Sequence, residues 1–440
     1  MQYSTFAAID IGSYDVILEI FEISKKQGIR SVDKICHRME LGKDTYTLGK
    51  IRPEMEEELC RVLADFVRIM EGYRVDDYRA TASSAISEAS NSLYVLGKIH
   101  QLTGLSVTVL SNSEQRFLSY KALAAMEDNF NKIIEKGTAI LDIGGGSIQI
   151  SLFDKDALVT TQNIRMGSLR IRERLAGIQS ETEHYEEMVE ELIWNEVSSF
   201  KKMYLKDRKI ENIMLIGDVF TDSVYQNIEE KTTKIISREN FNTWYEKIIR
   251  QSPMELAVKL GIPLENASLM YPSAVIYKCL IDMMGAEHIW IPGVHMTRGI
   301  AYEYAEQMKL LKGGHNFEND ILMAAKNIGK RYAVNRPHVQ NLEMTALAMF
   351  DATKKMHGMK ERERLLLQMA VMLHDVGKYI SFNNVADSSY NIIMSNEIIG
   401  LSHIEREMVA LIARYNTVTL PSYDELVMES SLSAEQYLTV

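Results

Sequence analysis

Cysteine is nearly missing: Cys36, Cys60 and Cys279 are the only three in 440 residues. An odd number at such wide spacing builds neither a disulfide framework nor a cysteine-based zinc site, and it fits a reducing cytoplasm. Long apolar runs are missing too. None nears the roughly 18 residues that span a bilayer. The N-terminus, MQYSTFAAIDIG, has no basic segment leading into an apolar core, so neither a signal peptide nor a membrane partner is expected. Basic charge is in short supply, with 49 Lys and Arg against 60 Asp and Glu and a net charge of -11. That excludes holding a nucleic-acid duplex or an anionic membrane by net charge alone, and leaves room for a local basic pocket. The one basic run, KKMYLKDRK from Lys201 to Lys209, reads as a solvated helix end; its functional alternative is a landing strip for a polyanion.

What is present is ordinary for a globular chain: 46% hydrophobic and 25% charged residues, which rules out disorder over most of the length. At roughly 150 residues per domain the length suggests about three domains. The 25 methionines read as core filler.

The periodicity organises the chain into three parts. Thr5 to Ile11 reads as a strand ending at Gly12-Ser13, and Val16 to Ile23 as its hairpin partner. Residues 53–73 have a helical period with Pro53 at the start and acidic residues in the first turn. Tyr78 to Ala82 and Leu105 to Leu110 read as strands, with a polar helix between them and another from about Ser113. The pattern then restarts. Thr138 to Ile143 ends in Gly144-Gly145-Gly146-Ser147, and the strands Ile148 to Phe153 and Ala157 to Asn163 follow. Strand, glycine turn, strand thus occurs twice, about 130 residues apart, as in a weak structural repeat. Helices are expected over 181–206 and 253–285, with a short strand at Met214 to Ile216. Lys312-Gly313-Gly314 is the best linker; the chain beyond it reads as helical to about 416, with a Ser/Glu-rich tail. The expected domains are 1–125, 126–311 and 315–440.

The chemistry should sit at the glycine turns. Backbone N–H groups converge there and can cradle phosphate oxygens. Asp10 precedes Gly12-Ser13 and Asp142 precedes Gly144, each at the end of a strand. Two such turns across a cleft would bind a phosphate chain, and the two aspartates could hold Mg²⁺ directly or through water. One such turn alone is usually no more than a hairpin connection.

These residues carry a resemblance. AAIDIGSYDVILEIFEI (7–23), ASSAISEASN (82–91), LSNSEQRFLSY (110–120), AILDIGGGSIQISLF (139–153), RMGSLRIRERL (165–175) and MLHDVGKYI (372–380) resemble, in order and spacing, the Ppx/GppA family of exopolyphosphatases and guanosine pentaphosphate phosphohydrolases. The resemblance implies an α/β fold of two actin-like (ribonuclease H-like) lobes followed by an all-α, HD-like domain. It implies Mg²⁺ as cofactor, polyphosphate or a guanosine nucleotide in the interlobe cleft, and a homodimer. It also implies a carboxylate that activates water while backbone turns and an Arg neutralise the phosphate.

The departures from the family fall on that chemistry. The family's two cleft glutamates stand here as Gln115 and Gln149, and Ser87 stands at the family's Arg. Tyr14 replaces an Asn, the later glycine turn keeps only Gly217, and the family's Arg-Glu-Gly reads Thr297-Arg298-Gly299. An amide hydrogen-bonds but takes no proton from water at pH 7. The turn residues Gly12, Ser13, Gly144, Gly145, Gly146 and Ser147 are all kept. Three readings follow: a phosphate-ligand binder with weakened or lost hydrolysis; an active hydrolase with Glu114 as substitute base; or a non-catalytic dimeric scaffold whose turns serve folding.

In the helical part, His374-Asp375 with His338, 36 residues upstream, matches part of the ligand set of a metal-dependent HD phosphohydrolase. Ala386, Ser388 and Asn416 stand where the resembled family carries histidines, and the helix with the last Asp is expected beyond Val440, so the domain reads as shortened. A structural use is open as well, with Asp375 fixing the tautomer of His374.

Overall fold

The structure, a computed structural model, describes residues 3–126, 130–155, 157–176, 185–217, 219–226, 234–311 and 315–440. The expected linker 312–314, Asp218 and the start of the 181–206 helical stretch lie outside them. The chain divides into two compact units, one of Met1–Asp156 with Gln162–His315, the other of Ala157–Thr161 with Asn316–Val440.

The described residues form two sheets. The first comprises β1 (Ser4–Ile11), β2 (Asp15–Ser24), β3 (Gly28–Arg38), β4 (Asp77–Ala82) and β5 (Val107–Val109), in the order β3-β2-β1-β4-β5. The second comprises β6 (Thr138–Ile143), β7 (Ile148–Asp154), β8 (Ala157–Ile164), β9 (Asn212–Ile216), β10 (Ile235–Ser237) and β11 (His288–Trp290), in the order β10-β11-β9-β6-β7-β8. Read from the far edge, β8-β7-β6-β9-β11 repeats the order of the first sheet. In each, the central strand pairs antiparallel with the next strand and parallel with a strand that follows a helical crossover. The repeat expected from the two glycine turns is therefore a repeat of whole sheets.

The near-continuous apolar run of β1 reflects burial on both faces. Ala7, Ile9 and Ile11 face a core shared with Leu59, Leu63 and Phe66 of the helix Pro53–Tyr73. Phe6 and Ala8 face the other way, against Ile300, Ala301 and Tyr304 of the helix Met296–Gln307. By alternation Asp10 belongs to this second face, where apolar packing gives way to a cleft. Gly299 lets that helix approach the helix Asn112–Met126 closely, since a Cβ there would collide with the Leu118 carbonyl.

Three strands escape the sequence reading. β3 is long but lies at the sheet edge with an irregular exposure pattern, and β10 and β11 have three residues each. The strand expected over 105–110 shrinks to Val107–Val109. The second unit is helical from Phe317 onward, including two short helices, Tyr423–Leu426 and Ala434–Thr439, in the tail. No described helix is long and apolar enough to cross a membrane.

Candidate functional site

The two glycine turns are built alike. The Gly12 N–H donates to the Asp15 carbonyl at 2.8 Å, and the Gly144 N–H donates to the Ser147 carbonyl at 3.0 Å. Asp10 sits opposite Ile17 on β2 and beside Thr81 on β4; Asp142 sits opposite Gln149 on β7 and beside Ile216 on β9. The structure brings both turns and both aspartates to one cavity of about 270 Å³. Asp10, Gly12, Ser13, Asp142, Gly144, Gly145, Gly146 and Ser147 all line it.

Desolvation dominates the electrostatics. It raises Asp10 to about 8, helped by the negative charges of Asp15 and Asp142. It raises Asp142 to about 6, against the lowering effects of a 3.0 Å hydrogen bond from Ser119 and the Arg116 guanidinium. Asp10 Oδ1 is enclosed and has no hydrogen-bond partner. Native structures leave few such atoms unsatisfied, and each calls for an explanation. Two hard oxygen donors, one with an orphaned atom, fit a small divalent cation such as Mg²⁺.

Gln115 and Gln149 both line the cleft. Gln149 accepts from Arg116 Nε at 3.3 Å, and Gln115 donates through Nε2 to the Leu110 carbonyl at 3.2 Å. Glu114 does not line the cleft. Its carboxylate accepts from the Ser111 backbone N–H at 2.9 Å and the Ser111 hydroxyl at 2.7 Å, an N-terminal helix cap. Neighbours on a helix point about 100° apart, and here the one lining the cleft is the amide of Gln115.

Tyr46, on the helix Leu41–Leu48, was not foreseen. Its hydroxyl lies 2.6 Å from Ser13 Oγ and 2.8 Å from Ser84 Oγ. Arg170 stacks on its ring at 3.8 Å, donates to the Gly146 carbonyl at 3.0 Å and pairs with Glu88. The phenol thus ties the first glycine turn to the second. Gly146 has to be glycine here, because a Cβ would run into the Tyr46 hydroxyl and within 2.6 Å of Ser84 Oγ. Gly146→Ala is expected to cost about 1–3 kcal/mol as overpacking. Thermal melts of Gly146→Ala alone and with Tyr46→Phe check this, the second change returning only part of the loss because the contacts with Ser84 Oγ and the ring carbon remain.

A model of the Ppx/GppA phosphatase family matches residues 20–308, and a model of Ppx/GppA phosphatase domain III matches residues 322–437. The chain belongs to the Ppx/GppA phosphatase family. Among curated relatives, a guanosine-5'-triphosphate,3'-diphosphate pyrophosphatase of Vibrio atlanticus is 19% identical over 99% of this chain and 85% of its own length. A bifunctional 3-dehydroquinate synthase/phosphatase of Fusobacterium nucleatum is 22% identical over 64% of this chain, which spans only 44% of that protein. Among solved structures, an exopolyphosphatase from Cytophaga hutchinsonii (TM-score 0.61, 18% identity, 69% of this chain and 98% of that one) has the same fold. So does the Aquifex aeolicus family member (TM-score 0.57, 18% identity, 70% and 99%). The expected α/β fold of two lobes followed by a helical domain stands.

The remaining departures from the Ppx/GppA pattern scatter. Tyr14 lines the cleft and donates to Asn266 at 2.7 Å, and Gly217 lines it as well. Thr297 lines it while bonding Glu19, whereas Arg298 reaches back to the Ile29 carbonyl. Ser87, at the Arg position, ends the short helix Ser84–Ser87 and is not among the cleft-lining residues. Lys201, Lys202 and Lys209 are exposed and do not line the cleft either. The missed strand β3 instead delivers Lys34, Cys36 and Arg38 to it. Their spacing of two was the signal available in the sequence.

In the helical unit His338, His374 and Asp375 do come together, with one ligand atom of each within 4.8 Å of the others. His374 Nδ1 lies 2.8 Å from the Val371 carbonyl, which only accepts, so Nδ1 carries a proton. The backbone, not Asp375, therefore fixes the tautomer. His374 Nε2 faces Asp375 Oδ1 at 3.4 Å, while Lys378 holds Oδ2 at 2.6 Å.

Proposed function

We propose that the cleft binds a phosphate chain, inorganic polyphosphate or a guanosine polyphosphate, with Mg²⁺ on Asp10 and Asp142, and that hydrolysis is weakened or lost. The observation that carries this reading is the pairing of two intact glycine turns about two aspartates, with neutral amides at Gln115 and Gln149. The turns supply N–H donors, and serine hydroxyls stand beside them. Mg²⁺, when bound, would offset phosphate charge. Gln115 and Gln149 orient by hydrogen bonds and cannot take the proton of an attacking water. The names of the Vibrio and Cytophaga relatives support the ligand class. Phosphate release from long-chain polyphosphate and from guanosine pentaphosphate, alongside equilibrium binding of both, tests it. Saturable, Mg²⁺-dependent binding with slow release is expected; rapid release overturns the weakened-site reading.

We also propose that the helical unit retains an HD-type metal site. Its support is the convergence of His338, His374 and Asp375, with one ligand atom of each within 4.8 Å of the others; imidazole and carboxylate suit a divalent transition metal. Mn²⁺ titration of the full chain should show a site lost in His374→Ala but kept in Asp10→Asn. Metal uptake indifferent to His374 removes the site.

A further inference from the structure

The cleft's cationic wall is the edge strand β3. Cross-strand partners share a face of a sheet. Asp10 on β1 is opposite Ile17 on β2, and Ile17 is opposite Cys36 on β3. Lys34 and Arg38, two residues to either side of Cys36, lie on that same face. Cys36 is two strand spacings, about 10 Å, from Asp10, and Lys34 and Arg38 stand about 7 Å to either side along β3. All three line the cavity.

The two cations are not equivalent. Arg38 donates to Asp15 at 2.7 Å and lies over the Tyr14 ring at 5.1 Å, so its charge is already matched. The ammonium of Lys34 has no ion-pair partner among the described residues, although β3 sets it in register with Glu19. The Glu19 carboxylate is taken by the hydroxyls of Ser31 and Thr297. Meanwhile Asp10, Asp15 and Asp142 put three carboxylates on the cleft wall. A polyanion entering this cleft meets cationic charge on β3, and the position held by an Arg in the family is Ser87, which does not line it.

We propose that Lys34 contacts the phosphate chain beyond its terminal group, with Arg38 held by Asp15 as a second, weaker anchor. This rests on the proposed function. A chain seated at the two turns would run from Asp10 across β2 towards β3, each phosphate carrying charge for Lys34 to meet. Because the contact is to phosphate and not to a base, it serves inorganic and nucleotide chains alike.

Calorimetric titration of the full chain with Mg²⁺–tripolyphosphate and, separately, Mg²⁺–GTP tests the assignment. Lys34→Ala should weaken tripolyphosphate binding about tenfold, the size of one charge-assisted contact. Lys34→Arg should stay within about threefold of wild type, and the exposed Lys202→Ala should bind like wild type. The Lys34→Ala defect should shrink at high salt, as screening predicts. Wild-type affinity in Lys34→Ala overturns this inference and leaves the proposed function standing. A defect seen with GTP and not with tripolyphosphate places Lys34 at the nucleoside and overturns the phosphate contact. No binding of either probe by wild type overturns the proposed function and this contact together.

Discussion

Gln115→Glu combined with Gln149→Glu should raise Mg²⁺-dependent phosphate release from tripolyphosphate by about 10²–10⁴-fold over wild type, the usual contribution of a positioned general base. The two changes are expected to behave differently. At 149 a carboxylate would keep the 3.3 Å contact with Arg116 and make it charge-assisted, so folding should tolerate it. It would also add negative charge opposite Asp142 and so increase the dependence on Mg²⁺. At 115 a carboxylate would lose its donation to the Leu110 carbonyl, and two acceptors facing each other repel. That repulsion releases the side chain towards the cleft, where the family resemblance places a water-activating group. Most of the gain should therefore come from position 115. Steady-state phosphate release by each single variant and the double measures it. Unchanged release in the double variant, with ligand binding intact, would mean that the glutamines are not what limits turnover.

Asp10→Asn should abolish stabilisation by Mg²⁺ and, in Mg²⁺-free buffer, make the protein more stable than wild type at pH 8. The sign follows from Asp10 standing at about 8 in the fold against an ordinary 3.8. Between those values the folded chain keeps a proton that the unfolded chain has released. Stability therefore falls as pH rises through that window, by about 1.4 kcal/mol per pH unit for a single such group. Asparagine, neutral throughout, escapes the loss, so the gap between variant and wild type should widen from pH 5 to pH 8. In wild type Mg²⁺ has to displace that proton, so its apparent affinity should rise with pH over the same range. Urea unfolding at several pH values, with and without Mg²⁺, checks both. A gap that stays flat with pH would show that Asp10 is ionised in the fold.

Much of this was legible in the sequence, for identifiable reasons. β1 and β6 are apolar runs stopped by Gly12-Ser13 and by Gly144 to Ser147, and buried central strands leave that mark. The two aspartates could be placed because each closes its strand. β3 was not legible: GIRSVDKICHR carries its polar residues on an edge strand, and an edge demands no clean alternation. Losing β3 hid Lys34 and Arg38 from the site. Tyr46 was invisible for another reason, since its role depends on Ser84 and Arg170, which are 38 and 124 positions away in the chain. The choice between Glu114 and Gln115 turned on the Ser111 cap, which settles the helix start and so decides which neighbour faces the cleft.

The proposed function makes the two glycine turns and two aspartates one Mg²⁺-dependent phosphate site. Calorimetric titration of tripolyphosphate into wild type and Asp142→Asn, each with and without Mg²⁺, tests it most directly. Saturable binding by wild type only with Mg²⁺, and its loss in the variant, is the expected result. Binding that is equally strong without Mg²⁺, or unchanged in Asp142→Asn, would contradict it.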